Sequence, residues 1–213
     1  MERYYSLHSR FYDATRWTFL FGRGEILRRV PAGFAPRNIL EIGCGTGKNI
    51  RAMSRLWPGA RLTGLDASET MLRAAREKTP GNAAVHWLHR LYDAPLSAGG
   101  ILPKFDLILF SYCLSMANPG WEKAVSAAAE DLAGGGILLA ADFHRSNLGL
   151  FKKWMALNHV RMDAHLLPAL SEAVKPLTSE KRRAYGFVWE YFLFSGKKRV
   201  PKFQGAQPNQ SQN

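Results

Sequence analysis

Apolar and polar positions alternate in blocks through the middle of the chain. Asn38 to Ile42 is a short apolar run, and Lys48 to Leu56 carries apolar positions at helical spacing before Trp57-Pro58-Gly59 ends it. The pair then repeats: Arg61 to Leu65 predicts a second strand and Ser68 to Lys78 a second helix. Ser68 is placed to cap that helix and Pro80-Gly81 to stop it. Ala84 to Leu88 and Phe105 to Phe110 predict two more strands, Trp121 to Leu132 an alanine-rich helix, and Gly134-Gly135-Gly136 a turn into a fifth strand, Ile137 to Ala141. Strands separated by helices predict a parallel sheet of βαβ units, an α/β fold. The run Leu107-Ile108-Leu109-Phe110 does not alternate, so the sheet is expected to be covered on both faces.

The flanks read differently. Residues 1–30 are dense in aromatics and arginine, and Tyr4, Leu7, His8, Phe11 and Tyr12 fall at helical spacing. Pro31 and Pro36 then break the pattern. This predicts one or two helices ahead of the main fold, with Tyr12 and Trp17 turned inward and the arginines outward. Beyond the sheet, Leu148 to Pro168 predicts a helix with a basic start, and Tyr185 to Ser195 a strand in a hairpin with the residues near Lys181 to Ala184. The organisation expected is a lid over 1–30, a catalytic domain over 31–197, and a basic, then Gln-, Asn- and Pro-rich tail over 198–213 expected to be disordered. No internal repeat is visible.

Composition narrows the class. Apolar residues make up 46% and charged residues 22%, an ordinary globular balance. No apolar run approaches the ~20 residues that span a bilayer, and the first ten residues lack the apolar core of a signal peptide. The only cysteines are Cys44 and Cys113, which excludes a disulfide scaffold and fits a reduced, cytoplasmic setting. The unusual quantity is a net charge of +12, which favours a polyanionic partner, either nucleic acid or an anionic membrane surface.

The candidate chemistry begins at Glu41-Ile42-Gly43-Cys44-Gly45-Thr46-Gly47, where the first strand turns into the first helix. Three glycines at alternate positions let the backbone pass close to a ligand. The helix N-terminus beyond offers free N–H groups and partial positive charge. Asp66 ends the second strand, where a carboxylate can accept both hydroxyls of a ribose. Cys44 is read as a small packing residue. His86 and His89 flank Trp87 on a strand edge, which is no metal-ligand spacing, so no metal is expected.

The third glycine comes one residue too early for a dinucleotide fingerprint, and Glu41 precedes the loop. That combination resembles motif I of the class I S-adenosylmethionine (SAM) methyltransferases. The resemblance implies a Rossmann-like, mostly parallel seven-stranded sheet with helices on both faces. It implies SAM as cofactor and S-adenosylhomocysteine as product. It places Glu41, Gly43, Cys44, Gly45, Thr46 and Gly47 around the methionine end, Asp66 and Ala67 at the ribose, and Met71, Asp93 and Ala94 near the adenine. Ser111 and Tyr112 then leave the fourth strand beside the point of methyl transfer, while Asp106 is structural. Nucleic-acid amino methyltransferases carry Asp/Asn-Pro-Pro-aromatic at that point. Ser111-Tyr112-Cys113-Leu114 stands there instead, which disfavours a nucleic-acid base as substrate.

A second resemblance concerns the acceptor. His8-Ser9-Arg10-Phe11-Tyr12-Asp13-Ala14-Thr15-Arg16-Trp17, Phe19-Leu20-Phe21-Gly22-Arg23, Ser111 to Met116, Asp142-Phe143-His144 and Trp189 to Leu193 are similar to the bacterial phospholipid and betaine-lipid N-methyltransferases. The likeness is strongest to those that trimethylate diacylglyceryl-homoserine. It implies an amine-headgroup lipid as substrate and an enzyme held peripherally at the inner face of the cytoplasmic membrane. The basic, aromatic N-terminus suits an anionic surface. Tyr112, Tyr12 and His144 are the candidate catalytic residues: Tyr112 through its ring or oxygen, His144 as proton acceptor. Asp142 is a candidate partner for the ammonium. Phosphatidylethanolamine N-methylation, quinone C-methylation, RNA methylation and SAM binding without chemistry stay open as alternatives.

Overall fold

A computed structural model describes residues 19–79, 85–100 and 102–199. Seven strands form one sheet: β1 (Asn38–Ile42), β2 (Arg61–Asp66), β3 (Val85–His89), β4 (Phe105–Ser111), β5 (Leu132–Arg145), β6 (Lys175–Ala184) and β7 (Trp189–Lys197). Their order is β3-β2-β1-β4-β5-β7-β6. β1 pairs in parallel with β2 and β4, β2 with β3, and β4 with β5, whereas β7 lies antiparallel between β5 and β6. The helices are α1 (Arg23–Ile26), α2 (Lys48–Leu56), α3 (Glu69–Glu77), α4 (Trp121–Asp131), α5 (Gly149–Leu157) and α6 (Leu166–Ala173).

The sheet is buried on both sides, as its unbroken apolar strands require. Ile39, Leu107, Leu109, Ile137 and Leu139 face one layer with Ile50 and Met53 of α2 and Leu72 of α3. Leu40, Ile108, Phe110, Leu138 and Ala140 face the other with Ala124, Val125 and Ala128 of α4 and Leu170 of α6. The N–H groups of Arg37 and Asn38 both donate to Asp106, at 2.8 and 2.9 Å, which fixes the start of β1 against β4.

Three elements differ from the sequence reading. β5 is longer at both ends. Its glycine run is a bulge inside the strand, with Gly135 at φ 80° and a register shift between Phe105 and Leu107 on β4. The helix expected from Leu148 to Pro168 is two helices. α5 ends with His159 at φ 60°, while the N–H of Val160 donates to Met155 O at 2.9 Å and that of His159 to Ala156 O at 3.0 Å. That is a Schellman stop with histidine where glycine usually stands. The following segment is pinned by the N–H of Arg161 to Ser115 O (2.8 Å) and the N–H of Ala164 to His144 O (2.8 Å). β6 is a full edge strand of 10 residues rather than a short arm near Lys181.

The fold continues to Arg199, whose guanidinium donates to Ser171 O at 2.9 Å. Of the expected N-terminal lid, only the part from Phe19 onward falls within the described residues, so Tyr12 and Trp17 lie outside them. Among the described residues, no helix is long and apolar enough to cross a membrane.

Candidate active site

The glycine loop leaves the C-terminal end of β1. Gly43, Gly45 and Gly47 have φ of 65°, 54° and 73°, a region that side chains disfavour. Each is constrained differently. A Cβ on Gly43 would stand 2.5 Å from Cβ of Cys113, and one on Gly47 3.0 Å from the Trp87 ring. A Cβ on Gly45 would meet nothing within 4 Å. The loop is therefore packed at its two ends and open at its middle, where a ligand can lie against the backbone.

Asp66 sets the loop's curvature. Its Oδ2 accepts the N–H of Gly45 at 2.7 Å, and its Oδ1 accepts that of Ser68 at 2.9 Å. Each oxygen keeps a further lone pair for a hydroxyl. Burial raises the Asp66 carboxyl above its ordinary range, and the two backbone donors oppose that rise. Ser68 caps α3 by accepting the N–H of Met71 at 3.4 Å, and Met71 is buried. The carbonyl of Ala67 lies 3.2 Å from Nε2 of His89.

Below the loop, Glu41 is wholly buried. Its Oε1 accepts from Nδ2 of Asn49 at 2.6 Å, and its Oε2 has no partner. Burial pushes its pKa to about 8, against the pull of the Arg23 guanidinium. Arg23 in turn holds a buried Nε with no partner. It is set at the start of α1 by Gly22, which approaches β7 so closely that a Cβ there would stand 2.7 Å from the Leu193 side chain. One orphaned carboxylate oxygen and one orphaned guanidinium nitrogen thus flank the glycine loop. They match the ammonium and the carboxylate at the amino-acid end of SAM. Arg23 and Asn49 were not among the sequence candidates. The signal for Arg23 was Gly22-Arg23 itself, a glycine that frees the backbone directly before a cation.

Beyond β4, Tyr112 has φ 57° and is buried. Its N–H donates to Ala141 O at 2.8 Å, its hydroxyl donates to Phe21 O at 2.7 Å, and its ring stands edge-on to Phe143 at 4.9 Å. Phe21 stacks on Tyr191 at 5.9 Å. Burial drives the Tyr112 phenol far above its usual pKa, so it stays protonated. Ser111 presents a buried hydroxyl without a partner. Cys113 donates its thiol to Ile42 O at 3.1 Å and packs against Gly43.

Asp93 and Ala94 are exposed on the loop after β3. That loop is anchored by Asp131, a wholly buried carboxylate that accepts from the Tyr92 hydroxyl (2.7 Å) and from the N–H groups of Leu96 and Ser97 (2.8 Å each). Asp142 accepts the N–H of Ser115 at 3.1 Å and that of Phe143 at 2.8 Å. Burial lifts its pKa to about 6. His144 does not join Tyr112. Its ring lies 6.3 Å from Phe192 in the opposite layer, and burial, with Lys181 beside it, lowers its pKa. The structure therefore gathers Glu41, the glycine loop, Asp66, Ser111 and Tyr112 at one edge and leaves His144 on the other face.

Comparison with known proteins agrees with this geometry. Residues 39–136 match the family model described as a methyltransferase domain. Over 103 residues the chain is 33% identical to a trans-aconitate 2-methyltransferase of Rhodopseudomonas palustris strain BisA53, a match covering 48% of this chain and 37% of that protein. The chain spans less than half the length of the curated relatives it matches. Among solved structures, the N-methyltransferase NodS of Bradyrhizobium japonicum WM9, bound to S-adenosyl-L-homocysteine, superposes with a TM-score of 0.65 at 21% identity over 84% of this chain and 86% of its own. The phosphoethanolamine N-methyltransferase 2 of Haemonchus contortus, also holding S-adenosylhomocysteine, gives 0.69 at 16% identity over 90% of this chain and 58% of its own. At such identities the likeness is one of fold. Residues 39–136, just under half of the chain, thus match a methyltransferase domain, and the seven-stranded Rossmann-like sheet around them has the fold of the SAM-dependent methyltransferases to which the chain is similar.

Proposed function

We propose that the protein N-methylates the amine of a membrane lipid, diacylglyceryl-homoserine, through to the trimethylated betaine. The observation that carries this reading is the aromatic wall beyond β4, where Tyr112 stands edge-on to Phe143, Phe21 stacks on Tyr191, and the Tyr112 hydroxyl ties the two pairs together by donating to Phe21 O. Ring faces hold an ammonium, and an amine needs only alignment and the loss of one proton.

Bound SAM supplies a methyl group already activated on a sulfonium. The chain's own groups orient it and exclude water. Glu41 takes the ammonium through Oε2, Arg23 the carboxylate, and Asp66 the ribose hydroxyls, with Met71, Asp93 and Ala94 toward the adenine. Tyr112 keeps its proton on Phe21 O and offers its ring and remaining lone pair to the amine. Tyr12, the further candidate from sequence, lies outside the described residues. His144, in the other layer, is given no part in proton transfer. The net charge of +12 supports work at an anionic membrane surface.

A second reading is methylation of a small polycarboxylate, as the name of the curated relatives states. A cavity of about 390 Å³ beside Asn118 supports it through Lys152 and His159, although its Arg161 is already paired with Asp163 of the same lining at 2.6 Å. Incubation with methyl-labelled SAM decides between them. Three acceptors are compared: detergent-dispersed diacylglyceryl-homoserine, phosphatidylethanolamine, and trans-aconitate in solution. Label in the homoserine lipid up to the trimethylated form is the expected result. Label only in phosphatidylethanolamine moves the headgroup assignment, and label only in trans-aconitate overturns the lipid reading.

A further inference from the structure

We propose that the outer face of α5 together with the β6–β7 turn is the surface that lies on an anionic phospholipid bilayer, an inference that rests on the lipid reading above and names where the membrane meets the fold.

In α5, Leu150 is 86% exposed, Leu157 80% and Trp154 46%. At about 100° per residue these three fall within roughly 60° of arc, while Phe151 and Met155 of the same helix pack inward. The helix therefore presents a second apolar stripe that no element among the described residues covers. At about 13 Å long, α5 is too short to span a bilayer and suited to lie flat on one. The β6–β7 turn adds Phe187, 70% exposed, and the exposed ring of Tyr185.

The two parts are linked by ring contacts through Phe151 and the buried Trp189. Trp154 contacts Phe19 at 5.9 Å and Phe151 at 5.8 Å; Phe151 stacks on Trp189 at 5.1 Å; and Trp189 lies 5.1 Å from Tyr185. The charge is of one sign where it matters. α5 carries no acid, and Lys153 lies beside the apolar stripe while Lys152 lies on the far side of the helix; the turn from Tyr185 to Val188 carries no acid, and the neighbouring Arg183, 3.8 Å from Glu190, is exposed. Trp and Tyr prefer the headgroup level, and lysines flanking apolar residues match an anionic surface. Protein interfaces, by contrast, are depleted in lysine at their cores.

The surface also faces the right way. α5 follows the C-terminal end of β5, and β7 begins beside that end, with Glu190 opposite Arg145. The glycine loop leaves the same edge of the sheet. Phe21, whose ring meets Tyr185 at 5.5 Å, holds the Tyr112 hydroxyl on its carbonyl. A headgroup rising from a bilayer on this face meets the aromatic wall first.

The test is flotation of the full-length protein with vesicles of phosphatidylcholine, alone or with equimolar phosphatidylglycerol. Wild type is expected to bind the anionic vesicles at least tenfold more tightly. Leu150→Asp with Leu157→Asp is expected to weaken that binding at least tenfold, and Phe187→Asp severalfold. Both positions of the double variant are exposed, so its thermal midpoint and SAM affinity should match wild type. Lys152→Glu with Lys153→Glu provides a second variant that leaves the apolar stripe intact and should also reduce binding. Vesicle binding unchanged in both double variants overturns the proposal. So does a wild type that ignores anionic vesicles. A double variant that binds vesicles normally but melts several degrees lower, or dissociates a dimer, assigns the stripe to the chain itself or to a second copy and equally overturns it. Methyl transfer to detergent-dispersed homoserine lipid is read separately, so failure of this surface leaves the substrate reading standing.

Discussion

Around β1 and β2 the functional edge is made of backbone: three glycines with positive φ, the N–H groups of Gly45 and Ser68, and the carboxylate of Asp66 that gathers them. Around β4, β5 and β7 the same edge is made of rings: Tyr112 on Phe143, Phe21 on Tyr191, Phe151 on Trp189. The first half fixes a ligand by geometry that few residue types can supply. The second shapes a wall whose members can be exchanged for other rings at modest loss. A fold that keeps one cofactor and varies its acceptor is expected to divide in this way. The division also predicts that substitutions in the two halves should fail differently.

The largest effect should come from Gly43→Ala. The new Cβ needs both a left-handed φ and the place occupied by Cys113, 2.5 Å away. Together these cost about 3 kcal/mol, a fall in thermal midpoint of roughly 10 °C for a domain of this size. Adding Cys113→Gly should return part of the loss, because it removes the clash and leaves the φ. Asp66→Ala comes next. It strips the acceptor from two N–H groups and, on the proposed reading, the anchor from the ribose, so SAM affinity measured by calorimetry should drop about a hundredfold. If Asp66→Ala altered acceptor KM while SAM affinity stayed intact, the contrast between the halves would collapse.

The same division explains what could be read from the sequence. Gly43, Gly45, Gly47 and Asp66 stand at fixed spacings because a backbone turn dictates them, and the βαβ pattern around them was legible for the same reason. β6 was not, because an edge strand reading Lys-Pro-Leu-Thr-Ser-Glu-Lys-Arg-Arg-Ala is exposed along nearly its whole length and shows no apolar period. The break after α5 was hidden because His159 occupies the place where a glycine would have announced a helix stop. Arg23 and Asp131 act on residues far away in sequence, on Glu41 and on the Tyr92–Ser97 loop, and long-range pairing leaves no local trace. His144 looked like a neighbour of Tyr112 because Asp142-Phe143-His144 ends a strand at the site, yet consecutive strand residues point to opposite faces.

Glu41 sharpens the comparison through pH. Its carboxyl, at about 8 in the free protein, is mostly protonated at neutral pH. An arriving ammonium favours the charged form, so binding SAM should release a proton. Affinity should then rise several-fold from pH 6.5 to 8.5, and calorimetry in buffers of different ionisation heat should count the proton. Glu41→Gln should flatten both. The stability of the free protein should move the other way. A carboxyl whose folded pKa lies above its unfolded value of 4.5 adds stability that is complete below that value and is lost as pH rises through 8. Asp142, raised to about 6, contributes with the same sign over a lower window. On the ring side, Tyr112→Phe removes one hydroxyl bond to Phe21 and keeps the ring. Acceptor KM should rise about fivefold with SAM affinity unchanged.

The smallest effect is expected at His144, and it is the most direct check on which layer does the chemistry. The imidazole is buried against Phe192, its Nδ1 has no partner, and burial together with Lys181 holds its pKa below the ordinary histidine value. A ring on the far face cannot take a proton from a group at the Tyr112 wall. His144→Asn should therefore leave kcat, acceptor KM and the pH profile above pH 6 within about twofold of wild type, apart from a modest stability loss in the melting curve. A tenfold fall in kcat with the melting curve unchanged, or the disappearance of an acidic limb from the pH–rate profile, would place the proton acceptor on the opposite layer. Tyr112 would then be a packing residue of the wall rather than the group that meets the amine.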